Sequence, residues 1–322
     1  MATLSGGPTY WDVMQEIGPD GSALTVLKVL EQTNKILDDA IVTEANGGFN
    51  HVYTREDSLP AGSFRQLNRG VRTENPTSKQ YTEHVAMLES YSNADKALAK
   101  RYPTGEAAYR MSRASRYIRG MGQTMANRLF YGNEATAPEE LTGLAPRLNS
   151  TAQSNVYDGS GTGSDTTSIF GVQWLMEDGC YLVYPEGSAS AGIVHEDLGQ
   201  VTLEDANGAQ YEGYRDHFQV HFGMVVGDED CIARYVNIET AGVANIFNED
   251  LLIELVNDRP FDGLGLVLYA NNRIFTQMQI AAKDKSNILW NIEEGLGGRK
   301  ITTFMGHPVH RCDQISLTET AI

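Results

Sequence analysis

The sequence predicts an α+β fold. Three observations carry this: a long amphipathic helical pattern over 104–130, a long strand–turn–strand pattern over 49–91, and a late block in which helices and strands alternate. At 322 residues, 41% of them hydrophobic, the chain is long enough for one large or two smaller cores.

The first 22 residues hold Gly6-Gly7-Pro8 and Gly18-Pro19-Asp20-Gly21 and read as an extended arm with an amphipathic piece from Tyr10 to Ile17. Ser22 is placed to cap a helix striped by Leu24, Leu27, Leu30, Ile36 and Leu37 that ends before Gly47-Gly48. Next come two strand-like runs, FNHVYTRED and KQYTEHVAMLESY, separated by the turn-rich LPAGSFRQLNRGVRTENPTS. This is a hairpin with a polar, basic tip. Its apolar residues Val52, Tyr53, Phe64, Leu67 and Val71 are too sparse for a core, so the ribbon needs a surface to lie on.

Thr104, after Pro103, reads as the cap of the long helix. Ala107, Met111, Ala114, Tyr117, Ile118, Met121, Met125 and Leu129 form its apolar stripe, and Arg110, Arg113, Arg116 and Arg119 a basic one. Gly132-Asn133 stops the helix, and Pro138 and Pro146 stiffen the connector LFYGNEATAPEELTGLAPRLN, which Leu129 and Phe130 open. YDGSGTGSD reads as a flexible surface loop. A meander follows: one hairpin turning at Asn207-Gly208 and a second joining FQVHFGMVV to CIARYVNIE through Gly227–Asp230. A helix from Asn248, the strand LGLVLYA, a helix from Asn272, and strands ITTFMG and PVHRCDQI complete the chain, with Pro308 marking the last as an edge strand.

Charge is unevenly placed. The total is −17, which argues against a surface that binds nucleic acid or anionic membrane as a whole. Residues 50–80 are nevertheless +2 and 104–130 are +4, whereas 151–260 hold nineteen acids against three Arg. Each block can be a solvated face; alternatively, basic elements of one copy meet acidic surfaces of another, which steers assembly and fixes register. Cys180, Cys231 and Cys312 are odd in number and far apart, as expected of free thiols in a reducing compartment such as a cytoplasm. Neither a signal-peptide pattern nor an apolar run of about 18 residues is present.

Chemistry is sparse. YDGSGTGSD lacks the Lys-Ser/Thr of a phosphate loop and the spaced acids of a calcium loop. His217 and His221 share a strand face, and His310 and Cys312 share another near His307, so a metal set at His307, His310 and Cys312 is conceivable, but no CxxC or HExxH supports it. No GxSxG elbow is present. The expectation is a non-enzyme without cofactor or metal.

The strings HVAMLESYSNADKALA, QTMANRLFYGN and ELTGLAPRLN resemble the major capsid proteins of tailed bacteriophages, which have the Hong Kong 97-type fold. So do YPEGSASAGIVHEDLGQVTLEDANGAQYEGY and ITTFMGHPVHRCDQI, and the resemblance extends from about Asn50 onward. It implies an N-terminal arm (1–40), an extended loop lying over a neighbouring subunit (41–82), a peripheral domain (83–145) with spine helix 104–130, connectors and part of the axial domain (146–200), peripheral antiparallel strands (201–240), and the axial domain (241–322). Strands at mid-chain depart from the type member and imply a rearranged connectivity. The implied function is a shell of hexamers and pentamers around double-stranded DNA, in a virion assembled in the host cytoplasm. A portal, a separate scaffolding protein and a decoration protein are its implied partners, with no membrane and no sequence-specific DNA contact. Arg55, Arg65, Arg69 and Arg72 would make the loop's inter-subunit contacts; the helix Arg stripe would bridge subunits or face DNA; Phe130, Gly132, Pro138 and Pro146 would form the joint to the next layer. Lys79, the only Lys within 41–82, lies near the hairpin base, so isopeptide crosslinks of the kind some members make are not expected. An encapsulin-like compartment shell is the alternative within shells, and a metal-dependent enzyme the alternative outside them.

Overall fold

The computed structural model describes residues 34–188, 192–205, 207–242, 244–284, 290–294 and 300–322. The predicted arm, its amphipathic piece and the Ser22 cap lie outside them. Fourteen strands occur among the described residues: β1 Val42–Glu44, β2 Asn50–Ser58, β3 Thr77–His84, β4 Ala86–Asp95, β5 Val156–Asp158, β6 Thr166–Gln173, β7 Cys180–Tyr184, β8 Val194–Glu204, β9 Gln210–Val226, β10 Ile232–Glu239, β11 Leu266–Ala270, β12 Trp290–Glu294, β13 Lys300–Phe304 and β14 His307–Arg311. The chain forms two compact units.

One unit contains Met87–Ala126 and Ser190–His221. Here β8 and β9 form a long antiparallel ribbon, from Val194 opposite Gln219 to Glu204 opposite Gln210. The predicted turn is where expected: Asp205 O accepts from Gly208 N, and Gly208 takes φ +79°. The long helix spans Glu106–Tyr131 and contributes its residues up to Ala126. It starts after Gly105, whose φ of +93° and carbonyl bonded by Tyr109 N put the cap there and leave Thr104 outside. Ala94, Ala99, Tyr102 and Tyr109 make a small core, and Tyr117 stacks on Phe218 with ring centres 5.7 Å apart. The predicted apolar stripe is only partly buried: Met121 is covered, while Met111 is 77% and Ile118 41% exposed.

The other unit contains Asn34–Ala86, Asn127–Ala189 and Phe222–Ile322. Its main sheet has the order β12-β13-β14-β11-β6-β10-β5, with β10–β5 and β11–β14 parallel and the remaining pairs antiparallel. Every residue of β6 is buried, as a central strand with both faces covered requires. Two helices line the main core: Glu249–Asn257, capped by Asn248, and Asn272–Asp284. Their Leu252, Leu255, Ile274 and Met278 pack with Ile169, Tyr235 and Leu268. A second cluster joins Ala45, Val85, Tyr181, Val183 and Val225 under β1, β7 and the end of β9.

Four expectations are corrected here. The early helix does not run to Gly47: only Ile36–Asp39 is helical, and β1 then pairs in parallel with β7. FQVHFGMVV and CIARYVNIE are not a hairpin, because β9 pairs with β7 while β10 joins the main sheet between β6 and β5. Pro308 does not mark an edge: β14 lies between β13 and β11, and the missing N–H is tolerated because parallel pairing with β11 begins only at Val309. The loop after β5 is fastened along β10, with Gly159 N on Val236 O and Gly161 N on Asn237 O at 2.9 Å each; a Cβ on Gly161 would stand 2.3 Å from Asn237 O.

Candidate functional site

Three places hold the residues singled out from sequence: the hairpin, the basic helix and the joint. In the hairpin, Tyr53 faces Tyr81 and Arg55 faces Lys79 across the β2–β3 register. The Arg55 guanidinium lies over the Tyr81 ring, 4.3 Å from its centre, and donates to Glu229 Oε1 at 2.7 Å, Tyr53 Oη at 3.0 Å and Val226 O at 2.5 Å. Arg55 therefore pins the hairpin base to its own chain. Burial, with the nearby Glu83 charge, pushes the Tyr53 hydroxyl up to about 12. Arg65, Arg69 and Arg72 differ. They lie in the exposed tip, residues 59–76, beyond a neck closed by Ser58 Oγ and Thr77 Oγ1 at 2.8 Å. The tip holds itself with few bonds: Arg69 N to Gln66 O, with Asn68 at φ +65°, and Gly62 N to Glu74 Oε2. Phe64, Leu67 and Val71 are exposed beside the three Arg.

On the helix, Arg110 donates to Asp216 Oδ1 at 2.7 Å and to Asp197, within its own unit. The bond to Asp197 holds the guanidinium above its usual range and, in return, holds the Asp197 carboxyl below its own. Arg113 lies over the Tyr109 ring at 5.6 Å and reaches its hydroxyl at 3.4 Å. Arg116 is half-buried, and Arg119 Nε lies 3.4 Å from Ser115 O, one turn back. The stripe is thus not a row of outward cations; its first member is consumed internally.

The joint is built by close backbone packing. Phe130 is fully buried, 5.0 Å from the Phe170 ring and 6.2 Å from Tyr269. Gly132 N closes the helix on Arg128 O at 2.8 Å, and Gly143 N returns to Gly132 O at 2.8 Å. A Cβ on Gly132 would meet Arg128 O and Leu141 O at 2.6 Å, and one on Gly143 would meet Arg128 O at 2.7 Å. The connector thus folds back on the end of the helix at a distance only glycine allows. Asn133 organises the outer turn, its carbonyl accepting from Thr136 N and Ala137 N; Pro138 follows, exposed. Pro146 sits in the short helix Leu144–Arg147, where its missing N–H costs nothing.

Two ion pairs here were not singled out from sequence. Arg147 forks onto Glu83 at 2.9 and 2.7 Å, and Arg234 meets Glu319 at 3.0 Å with both side chains nearly buried. Arg234, a lone charge inside an apolar strand pattern, was the available signal. The candidate metal residues do not converge: His310 Nδ1 lies 2.6 Å from Asp39 Oδ2, Cys312 Sγ 3.4 Å from Asn34 Oδ1, and His307 beside Gly263. Among the described residues no group of three or more His, Cys, Asp or Glu is arranged to hold a metal ion, and no helix is long and apolar enough to cross a membrane.

An α/β body, a helix-and-ribbon unit and a two-stranded hairpin with an exposed tip define a phage shell subunit of the Hong Kong 97 type. The chain belongs to the GP7 major capsid protein family, whose model matches residues 18–322. A chain of the solved structure of bacteriophage Epsilon15 is 30% identical, with a TM-score of 0.72, covering 100% of this chain and 99% of that one. A chain of the bacteriophage JBD30 capsid shares the fold at 10% identity and a TM-score of 0.52, covering 90% and 93%. No curated protein matches the chain. Copies of the chain assemble into the icosahedral capsid of a virion.

Proposed function

We propose that the subunit builds its shell through hexamers and pentamers in which the hairpin tip of each copy lies on a neighbour. The observation that carries this is the tip itself: residues 59–76 present Phe64, Leu67 and Val71 to solvent beside Arg65, Arg69 and Arg72. Such a segment gains burial only from another chain. In this reading the unit with the long helix is peripheral, with Arg113, Arg116 and Arg119 toward subunit boundaries or packaged DNA, and the unit with the seven-stranded sheet is axial. The connectivity is rearranged in that the chain re-enters the helix-bearing unit at mid-sequence. The subunit performs no catalysis and needs no cofactor. It encloses double-stranded DNA without reading its sequence. A portal, a separate scaffolding protein and a decoration protein are its partners, and assembly takes place in the host cytoplasm.

Exposed ion pairs contribute about 0–1 kcal/mol each, so shell stability comes from many contacts per subunit and charge mainly sets register. Reversing two tip charges, R65E with R69E, is expected to lower particle yield in sedimentation and electron microscopy while circular dichroism of the subunit stays unchanged. Normal particles from this variant would falsify the role of the tip.

A further inference from the structure

Alongside β2 runs a cleft of about 1050 Å³, lined by the hairpin from His51 to Leu59, the turn Met176–Asp178, Tyr181, Asp228 and Phe261. Six carboxylates line it: Glu44, Glu56, Asp57, Glu177, Asp178 and Asp228. Among the described residues none of the six has a salt-bridge partner, and the single lining guanidinium, Arg55, is committed to Glu229. Burial lowers the pKa of His51, the one imidazole on the wall, so it adds no compensating charge at neutral pH. Lys79 lines the adjoining pocket with Glu56, Asp57 and Asp228, and against six carboxylates the cleft still carries net negative charge.

Its walls are fixed. Glu177 has φ +69°, and Phe261 and Asp262 have φ +55° and +52°. For residues with a Cβ this backbone costs about 1–2 kcal/mol each and is kept only where surroundings enforce it. The turn at Glu177 is held by Gly227 N on Gly179 O at 2.8 Å, and a Cβ on Gly227 would stand 2.1 Å from Glu177 O. The strained position at Phe261 displays its side chain outward: Phe261 is 55% exposed, with Met176 and Leu59 exposed on the same cleft. The result is a rigid acidic groove with an apolar rim.

Resting on the reading that the tip reaches a neighbour, we infer that this cleft is the seat of the tip from a second copy. Arg65, Arg69 and Arg72 meet the carboxylates, and Phe64 or Leu67 covers the rim at Phe261 and Met176. The match is in charge and in composition: the tip has three Arg against Glu74, and each partner pairs exposed apolar groups with a net charge opposite to the other's. Opposite fields also speed the encounter, so assembly slows as salt rises.

The test uses the full chain. E177K with D178K is expected to lower particle yield roughly tenfold, equivalent to about 1.4 kcal/mol per contact, with an unchanged subunit spectrum, and adding R65E with R69E restores it. Wild-type yield from E177K/D178K overturns the cleft as the seat; if R65E/R69E alone still fails, the tip's reach to a neighbour stands without it. Wild-type yield from R65E/R69E overturns both. Where the swap does not restore assembly, R69C with E177C decides. The native thiols Cys180, Cys231 and Cys312 are buried, so a subunit ladder on a non-reducing denaturing gel of oxidised particles supports the cleft, and intact particles without a ladder overturn it.

Discussion

Replacing Arg147 by Met should loosen the joint and the hairpin together. Arg147 makes two bonds to Glu83, at 2.9 and 2.7 Å, and two longer ones to Thr142 O; the side chains of the pair are 16% and 12% exposed. Burial opposes the guanidinium charge, but the bonds and charge of Glu83 outweigh it, so Arg147 is held protonated above its usual range. Removing the cation leaves the Glu83 carboxylate desolvated, with Tyr53 Oη at 3.2 Å as its remaining side-chain partner. Breaking such a pair costs about 3–5 kcal/mol, and the residual exposure places this one near the lower bound. With a urea slope of about 1–3 kcal/mol/M, the unfolding midpoint of the isolated subunit falls by about 1–3 M, followed by tryptophan fluorescence. E83Q with R147M leaves no stranded charge and should be less damaging than R147M alone. Because Glu83 lies on β3, amide exchange across 50–58 should quicken as well. A midpoint within about 0.3 M of wild type, or an equal cost of R147M in the wild-type and E83Q backgrounds, refutes the reasoning.

Two glycines should respond oppositely to Ala. G143A forces a Cβ to within 2.7 Å of Arg128 O and should cost about 1–3 kcal/mol, whereas the Cβ of G120A enters open space on the long helix and should gain up to about 1 kcal/mol; calorimetry of the subunit separates them. Burial pushes each of the three thiols from 9.0 up to about 12. The native subunit should therefore resist a thiol reagent at about pH 8 and label at all three positions once unfolded. Since the folded values are the raised ones, this stability is complete below about pH 9 and is lost between about pH 9 and 12, where the unfolded chain ionises first; urea midpoints measured across that window check the sign.

Periodicity and turn chemistry make most elements legible. The helix expected over 104–130 spans Glu106–Tyr131, because its apolar and Arg spacings are both helical and Gly132 ends it. The Asn207-Gly208 turn is equally clear. Long-range pairing is what stays hidden. Nothing local tells that β9 continues toward β7 while β10 departs for β6, because both runs are apolar and the Gly227–Asp230 link reads as a tight turn. The helix stripe misleads for a related reason: spacing gives a face, not its cover, so Met111 and Ile118 are exposed in the subunit although they share the period of Met121. The acidic cleft is invisible in sequence because its six carboxylates come from four separate segments.

The fate of the cations explains how an acidic chain can direct its own assembly. Of the Arg residues expected at neighbours, Arg55 and Arg110 are neutralised inside the subunit, by Glu229 and by Asp197 with Asp216. Each fixes an element in place: Arg55 sets the base of the hairpin and Arg110 holds the helix to the β8–β9 ribbon. Of the hairpin's expected contact Arg residues, those left for a partner then lie where the backbone has least support from its own chain, at Arg65, Arg69 and Arg72. A few cations on an exposed tip, against a chain at −17, favour one docking geometry over many, since most other pairings of two copies bring like charges together. The same argument explains why Arg55 is tied down. A free cation at the cleft's own edge would pair with its acids and lower the groove's negative charge.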